Sequence, residues 1–325
     1  MRMPIETISS RRSFLRSAGL LTGGACLWRY APADLAHATT RGLAQAPTPD
    51  AMRAQMGAAP IESLKLGERL VMLSGPGGNV VVSHGEFKVV VDGFVTPAWP
   101  RLKALLDGLD GSPIKSLIDS HWHFDHADNN ANFRKAGAGV IAHENTRTRL
   151  MEPHDLLGMH FDPVAAEALP TQTFSAGLTL NANGEQISLT RVAPAHTDTD
   201  IFVFFPKANV LHMGDVFFNG MYPFIDASTG GHINGMIDGV QTALTIANGQ
   251  TRIVPGHGPI GQRASLEAYG RMLTGVRDGV RKLKSAGKSL AEAQAAKPSA
   301  ALDAAWGKGM MGADDFVALV YNTLR

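Results

Sequence analysis

The chain has 325 residues, with 30 lysines and arginines against 29 aspartates and glutamates, and a formal net charge of +1 at pH 7. This near balance argues against a nucleic-acid partner and against attraction to an anionic membrane surface. Cys26 is the single cysteine, so an intramolecular disulfide and a metal site built from several thiolates are excluded.

The first 38 residues have the features of an export signal. Residues 10–16 read SRRSFLR, an apolar run follows at 18–27, and Ala36 and Ala38 fit a small-x-small cleavage site. The run is too short to cross a bilayer, so we expect no stable membrane insertion after cleavage. The pattern predicts a twin-arginine signal peptide over residues 1–38 and a mature protein in the periplasm. A lipid anchor on Cys26 is the alternative, which Gly23 disfavours because such signals prefer a large aliphatic residue there.

The rest of the chain divides into an arm and one domain. Residues 39–60 are rich in Ala, Pro, Thr and Gln without periodicity and predict a linker or N-terminal arm before a domain over 61–325. The domain's first half predicts strands at 69–73, 80–83, 87–91, 114–118 and 140–142, with helices at 99–109, at 127–135 and from 144. The second half predicts strands at 178–181, 186–192, 201–205, 210–213 and 252–254, with a helix at 235–247. Residues 263–325 predict helices, one of them capped by Ser289. Two such halves favour an α+β domain with two sheets packed face to face and helices outside.

A cluster of four metal-capable side chains follows the apolar run at 114–118. The residues are His121, His123, Asp125 and His126, within the sequence HWHFDH. Imidazoles and carboxylates bind Zn²⁺ at about 2.0–2.2 Å, and a catalytic site needs several of them to converge on one point. Since His121 and His123 can face one side while Asp125 and His126 follow in the turn, the spacing predicts two metal ions.

Three further candidate ligands lie downstream, each at the end of an apolar run: His196, Asp215 and His257. The ordered set resembles the metallo-β-lactamase superfamily, whose members carry HxHxDH and then His, Asp and His in that order. The resemblance extends over roughly residues 68–260. It implies a four-layer αββα metallo-β-lactamase sandwich with the ligands gathered at one edge, where the two sheets meet.

The same resemblance implies a shared ligand set for two zinc ions. It assigns His121, His123 and His196 to the first ion, Asp125, His126 and His257 to the second, and Asp215 and a hydroxide to the bridging positions. Asp125 is also the predicted catalytic residue that orients the hydroxide, and Asp92 resembles the acidic residue behind the metals, although a turn-forming Asp-Gly explains it equally well. Iron or manganese could replace zinc, because His and carboxylate suit all three. A closed structural metal site is disfavoured, since seven shared ligands leave open positions.

Two long segments, 151–170 and 216–234, are of the type that covers active sites. Within them we predict pocket-lining roles for His160, Phe161, Tyr222 and His232. His84 and His212 are most simply structural residues of a hairpin and a buried strand.

The pattern predicts a small-molecule substrate and leaves the oligomeric state open. Lactamases with a cysteine on the second metal are excluded, because Cys26 lies within the predicted signal peptide and the mature protein would have no thiol. The subclass with only His and Asp ligands has no bridging carboxylate where Asp215 stands. Asp215 resembles instead the thioesterase, lactonase and glyoxalase-like branch, so we expect hydrolysis of an ester, thioester or lactone by metal-bound hydroxide. The alternatives are a β-lactamase and a non-catalytic periplasmic protein that binds a metal or ligand.

Overall fold

The computed structural model of the chain describes residues 48–324. The predicted signal peptide and the first part of the predicted arm lie outside the described residues. The rest of the arm contains helix α1 (Pro49–Gly57), which begins where Thr48 Oγ1 accepts a hydrogen bond from Ala51 N at 3.2 Å. A capping Thr followed by Pro is a local start signal for a helix. What stabilises so short a helix is burial of Met52 against Trp122 and neighbouring apolar residues.

The first sheet has seven strands in the spatial order β1-β2-β3-β4-β5-β6-β9. They are β1 (Glu62–Lys65), β2 (Leu70–Gly75), β3 (Gly78–Ser83), β4 (Lys88–Val91), β5 (Ile114–Ile118), β6 (Gly139–His143) and, after a separate hairpin of β7 (His154–Leu156) and β8 (Met159–Phe161), β9 (Gln172–Phe174). The first four are antiparallel, whereas β4, β5, β6 and β9 are parallel. Parallel neighbours need crossover connections, and helices α2 (Trp99–Leu109), α3 (Phe124–Ala127), α4 (Asn130–Lys135) and α5 (Glu144–Leu150) lie in them.

The second sheet has six strands, β10 (Gly177–Ala182), β11 (Glu185–Arg191), β12 (Ile201–Phe205), β13 (Val210–His212), β14 (Arg252–Val254) and β15 (Gly261–Gln262), in chain order. Only β13 and β14 are parallel in it, and α6 (Ile233–Ile246) lies in their crossover. Four more helices complete the described residues: α7 (Arg263–Ser285), α8 (Leu290–Ala295), α9 (Ala300–Trp306) and α10 (Ala313–Thr323).

The two sheets pack face to face, as shown by the alternating directions of the side chains along β4. Val89 and Val91 belong to the central apolar cluster, which also contains Leu189 and Val203 of the second sheet. Val90, between them, faces outward onto the leucines of α2, since successive strand side chains point to opposite faces. On the other side α6, α7 and α10 cover the second sheet. The predicted four-layer αββα sandwich is confirmed.

Most predicted elements are present, with shifts of one or two residues at their ends. The helix predicted at 127–135 is instead the pair α3 and α4, because the Asn129 side chain donates hydrogen bonds to the carbonyl groups of Gly93, Phe94 and Val95 at the break. The Ser289 cap is confirmed, with Glu292 completing a capping box. No helix within residues 48–324 is long and apolar enough to span a membrane.

Candidate metal centre

The end of β5 delivers the HWHFDH sequence to the edge between the two sheets. β5 ends at Ile118, and the chain then bends through His121 to His123, whose backbone is extended. α3 starts at Phe124, so that Asp125 and His126 lie in its first turn. His196 lies in the connection from β11 to β12, Asp215 follows β13, and His257 follows β14. Strands of both sheets therefore end at one place.

The seven predicted ligands form two groups. We define the first ligand group as His121, His123, His196 and Asp215, and the second ligand group as Asp125, His126 and His257; within each, the potential ligand atoms lie within 4.8 Å of one another. All are buried except Asp125, whose side chain is 13% exposed. The centre is thus enclosed and most accessible beside Asp125.

Asp215 lies between the two groups. Its Oδ2 is 3.5 Å from His196 Nε2 in the first group and 3.3 Å from His257 Nε2 in the second. Its Oδ1 is 3.2 Å from His126 Nε2. A carboxylate with oxygens this close to ligands of both groups is in a position to bridge two cations.

Asp92 supports two of the histidines from behind. Its Oδ2 accepts hydrogen bonds from His126 Nδ1 and from Ser120 Oγ, both at 2.8 Å. Ser120 Oγ in turn accepts from His121 Nδ1 at 3.0 Å. Because the Nδ1 atoms are engaged, the Nε2 atoms of both rings face the centre, which is how a supporting carboxylate fixes the histidine tautomer. His212, the predicted buried strand histidine, is fully buried beside Asp92, at 3.6 Å.

Asp226 is a functional candidate that the sequence did not indicate. Its Oδ2 accepts a hydrogen bond from His123 Nε2 at 3.2 Å, while its Oδ1 accepts from Ser228 Oγ at 2.5 Å and its Oδ2 from Thr229 Oγ1 at 2.5 Å. The only local signal is an Asp followed by Ser and Thr, which predicts a turn. Since Nε2 is bound, His123 presents Nδ1 to the centre, 2.9 Å from His196 Nε2.

His196 is held through its main chain and its ring. The backbone N–H groups of His196 and Thr197 donate to Asp200 Oδ2 at 2.8 and 3.0 Å, and His196 Nδ1 donates to the Phe224 carbonyl at 2.9 Å. Burial raises the pKa of Asp200 to about 7, because its effect outweighs that of the hydrogen bonds from Thr197 and His196, which act to lower the pKa. These contacts leave His196 Nε2 directed at the centre.

The charges of the ligands fit a bound cation. Burial lowers the pKa of His196 to about 4, although Asp215 acts in the opposite direction, so the ring is neutral as a metal ligand must be. Burial acts to lower the pKa of His257 as well, but Asp215 and Asp125 outweigh it and raise that pKa to about 9. The carboxylates of Asp215 and Asp125 therefore place negative charge beside the second ligand group, where a metal ion would replace the proton on His257.

Buried atoms without a well-aligned hydrogen bond at the centre support the same conclusion. Among the described residues, His121 Nε2, His126 Nε2 and Asp215 Oδ1 are buried and form no well-aligned hydrogen bond, although His126 Nε2 and Asp215 Oδ1 lie 3.2 Å apart as an ion pair. Buried polar atoms without such bonds are rare because they cost roughly 1–3 kcal/mol each. Three such atoms, all candidate ligands, fit metal coordination.

Two glycines let the backbone approach these ligands. A Cβ at Gly256 would lie 1.8 Å from Asp215 Oδ1, and a Cβ at Gly78 would lie 2.6 Å from the Gly256 carbonyl oxygen and 3.4 Å from Cε1 of both His126 and His257. Gly78 also has a φ of +121°, a backbone angle that residues with a side chain rarely adopt.

The predicted pocket residues lie in different environments. Phe161, in β8, is buried and stacks on Phe124 of the metal motif at 5.2 Å between ring centroids. The structure places the side chain of His160 at the surface, 60% exposed and bonded to Asp155, because alternation along β8 directs it away from Phe161.

The other two predicted pocket residues serve neighbouring elements. Tyr222 lies in the core instead of at a pocket wall, because its ring stacks on Phe316 and its hydroxyl donates to Asp303 among the C-terminal helices. His232 is half-buried, and its Nδ1 accepts from Gly235 N at the start of α6.

An αββα sandwich with a His and Asp cluster able to hold metal at its sheet edge defines a class of metalloenzymes. The family model described as the metallo-β-lactamase superfamily matches residues 75–275. The chain belongs to this superfamily of metal-dependent hydrolases.

Solved structures agree with this assignment at the level of the fold. A metallo-β-lactamase from Pontibacter korlensis is similar with a TM-score of 0.56 and 18% identity, covering 66% of this chain and 99% of its own. DIM-1 metallo-β-lactamase has a TM-score of 0.55 and 19% identity over 66% of this chain and 98% of its own. VMB-1 has a TM-score of 0.53 and 17% identity over 66% and 96%.

Proposed function

We propose that this protein is an exported dinuclear zinc hydrolase that cleaves a carbonyl bond of the ester, thioester or lactone type. The observation that carries the proposal is the position of Asp215, whose two oxygens lie 3.2–3.5 Å from imidazole nitrogens of both ligand groups. The donor set of imidazoles and carboxylates suits zinc, with iron or manganese as the alternatives.

Each part of the ligand set has a distinct task. When bound, two zinc ions would supply a nucleophile derived from water at neutral pH and would polarise the substrate carbonyl. Asp125, the most exposed ligand, has its Oδ2 3.3 Å from His257 Nε2 and can accept a hydrogen bond from the attacking water. Asp92 and Asp226 hold the ring orientations, so the ligand geometry is set before substrate binds.

Asp215 also bears on the choice of substrate. If Asp215 is shared by two bound ions, its negative charge would make the nucleophile more basic and the ions weaker Lewis acids. Burial acts to raise the pKa of Asp215, but His257 and His126 outweigh it and hold that pKa well below its usual value, so the group is ionised. This supports activated carbonyl groups ahead of lactam amides as substrates.

A β-lactamase is the second candidate function, favoured by the similarity to solved structures of metallo-β-lactamases. At 17–20% identity that similarity concerns the fold. A third candidate, a periplasmic binding protein without turnover, predicts tight metal binding and no hydrolysis.

The deciding experiment is a substrate panel on purified, metal-analysed protein lacking residues 1–38. It would contain a chromogenic cephalosporin, a penicillin, aryl esters, a thioester and a lactone, each with and without chelator. We expect chelator-sensitive turnover of the ester, thioester or lactone. Faster turnover of the lactams would make the β-lactamase the better assignment, and two bound metals without turnover would favour the binding protein.

Asp215→Asn tests the bridging role directly. Loss of one negative charge should reduce metal content from about two ions towards one and lower kcat/KM by at least about tenfold. The matched control is Asp162→Asn, whose carboxylate is 91% exposed on the surface. Metal content and rate equal to wild type would disprove the bridge.

The location in the periplasm is a further part of the proposal and rests on residues 10–16 and 36–38. Replacing both Arg11 and Arg12 by Lys should retain the precursor in the cytoplasm, as measured by cell fractionation and the mass of the chain. Unchanged processing of this variant would exclude the twin-arginine route.

A further inference from the structure

Aromatic rings pack against the histidines of the metal centre. The ring centroid of Phe224 lies 6.1 Å from that of His123 and 6.0 Å from that of His196, and Phe224 is only partly buried. Phe218 stacks on His257 at 5.1 Å, and Trp122 contacts His123 at 4.8 Å.

The β7–β8 hairpin extends this apolar wall. Met159 and Phe161 pack with Trp122 in a small cluster, against which Phe124 and Phe224 are partly buried. Phe124 precedes Asp125, the most exposed ligand, so the cluster borders the accessible side of the centre. A substrate that reaches the centre past Asp125 therefore meets carbon surface.

The chain segments that form these walls carry no lysine or arginine of their own. No lysine or arginine occurs in residues 75–79, 119–133, 150–161, 192–206, 211–251 or 253–262, the segments that carry the ligands, the hairpin and the loops between them. Each such segment would otherwise be the natural place for a residue that binds a carboxylate on the substrate.

Two arginines from neighbouring elements pack near these walls, and both are paired. The guanidinium of Arg53 lies over the rings of Phe124 and Phe161 and bonds Asp128 at 3.0 Å. Arg149 bonds Asp198 at 2.7 Å. A substrate anion would have to displace an existing carboxylate to use either one.

We propose that the acyl part of the substrate is uncharged and apolar, and that it packs on the partly exposed rings of Phe124 and Phe224, which are backed by the buried Trp122. The inference rests on the proposed hydrolase function and names its substrate class. An anionic group remote from the reacting carbonyl loses its water against these rings and gains no ion pair, and such desolvation is costly. An alkyl or aryl acyl chain gains from the same contact.

Matched substrates test this preference. The p-nitrophenyl ester of adipic acid with a free terminal carboxylate and its terminal methyl ester have the same scissile bond and the same chain. We expect kcat/KM at least about tenfold higher for the neutral member on zinc-loaded protein. Equal rates, or a faster anionic member, would overturn the inference.

A binding measurement separates this inference from the proposed function. Two uncleaved ligands are compared by calorimetry on the same zinc-loaded protein: the neutral dimethylamide of hexanoic acid, and the mono(dimethylamide) of adipic acid, which keeps one free carboxylate. The neutral amide should bind at least about tenfold more tightly. If no ester is cleaved but this order holds, the hydrolase proposal fails and the apolar site stands. If the anionic amide binds as well or better, the apolar site is rejected whatever the turnover.

Phe224→Ala should change chain-length selectivity. Loss of the ring should lower kcat/KM for p-nitrophenyl hexanoate by about tenfold and for the acetate by much less, since acetyl is too short to bury against it. The matched control is Leu105→Ala, which removes an exposed apolar side chain from the outer helix α2. An equal loss for both esters would show that Phe224 only supports His196.

Discussion

Asp226 and His123 form a long-range contact at the metal centre. They are 103 positions apart in sequence, and the hydrogen bond between them determines which nitrogen of His123 faces the centre. Burial acts to raise the pKa of Asp226, but hydrogen bonds from His123, Ser228 and Thr229 outweigh it, and its pKa is lowered. Asp226 is therefore an ionised acceptor that keeps the proton of His123 on Nε2.

Asp226→Asn should weaken metal binding while the fold is retained. Loss of a carboxylate that orients a ligating histidine typically costs about 10–100-fold in metal affinity. Competition with a chromophoric chelator measures the change, and Asp238→Asn, an exposed residue of α6, is the matched control. Wild-type affinity in Asp226→Asn would show that backbone packing alone orients His123.

At the scale of elements, the ends of β13 and β14 are joined closely enough to require a glycine. The amide of Gly256 donates to the Gly214 carbonyl at 2.7 Å, and its Cα faces the carboxylate of Asp215. The parallel pairing of these strands is what places Asp215 and His257 side by side.

Gly256→Ala should displace Asp215 and with it the metal. A methyl group 1.8 Å from Oδ1 cannot be accommodated without movement of either strand end. Metal analysis should detect less than half of the wild-type content. Gly249→Ala, in an exposed turn before β14 where a Cβ meets no atom within 4 Å, should bind metal normally. Full metal content in Gly256→Ala would contradict the assigned geometry.

The beginning of β4 is stabilised separately from the metal centre. Lys88 is 1% exposed, and its Nζ donates to Asp110 Oδ1 at 2.7 Å. Burial acts to raise the pKa of Asp110, but hydrogen bonds from Lys88, Ser112 and His84 hold it below its usual value of 3.8. A lowered pKa in the folded state means that this stabilisation is present above about pH 4 and is lost as the pH falls further.

Asp110→Asn should lower the free energy of unfolding by about 2 kcal/mol at pH 7, because it leaves a buried ammonium without its counter-charge. The difference from wild type in urea denaturation should shrink below pH 4, and metal content should be unchanged. Asp107→Asn, which removes the exposed partner of Lys103, should change stability by less than about 0.5 kcal/mol. A comparable loss in both variants would indicate that burial of Lys88 is unimportant.

At the scale of the whole molecule, the metal centre connects the two halves of the sandwich. The HWHFDH ligands follow the first sheet, whereas His196, Asp215 and His257 belong to the second. A metal ion held by ligands from both sheets binds the folded state and not the unfolded chain, so it stabilises the packing of one sheet on the other.

Removal of metal should therefore lower the melting temperature. At a free metal concentration about 100 times its Kd the linkage is worth about 2.7 kcal/mol, which corresponds to a shift of roughly 5–10 °C for a domain of this size. Calorimetry before and after chelation measures the shift, and zinc should restore it. A melting temperature unaffected by chelation would mean that the centre does not connect the sheets.

Local patterns in the sequence were sufficient for most of the fold and for choosing the seven candidate ligands that the structure brings together. Each candidate ligand lies in the connection that follows a strand, and strand ends in a sandwich of this kind meet at one edge. The strand at Arg252–Val254 and the helix at Trp99–Leu109 were predicted with the bounds that the structure has. These features depend on neighbours within a few residues, which a sequence displays.

Only the tertiary structure could decide the contacts between distant segments. Asp226 reaches His123, Met52 of the predicted arm packs beside Trp122, and Tyr222 turns into the core of the C-terminal helices. In each case the local sequence predicts a turn, a linker or a loop, because the partner lies far along the chain and only packing brings it near. The sequence determined which residues can bind metal and where each strand delivers them; the packing of loops and helices decided which residues hold those ligands and which form the wall beside them.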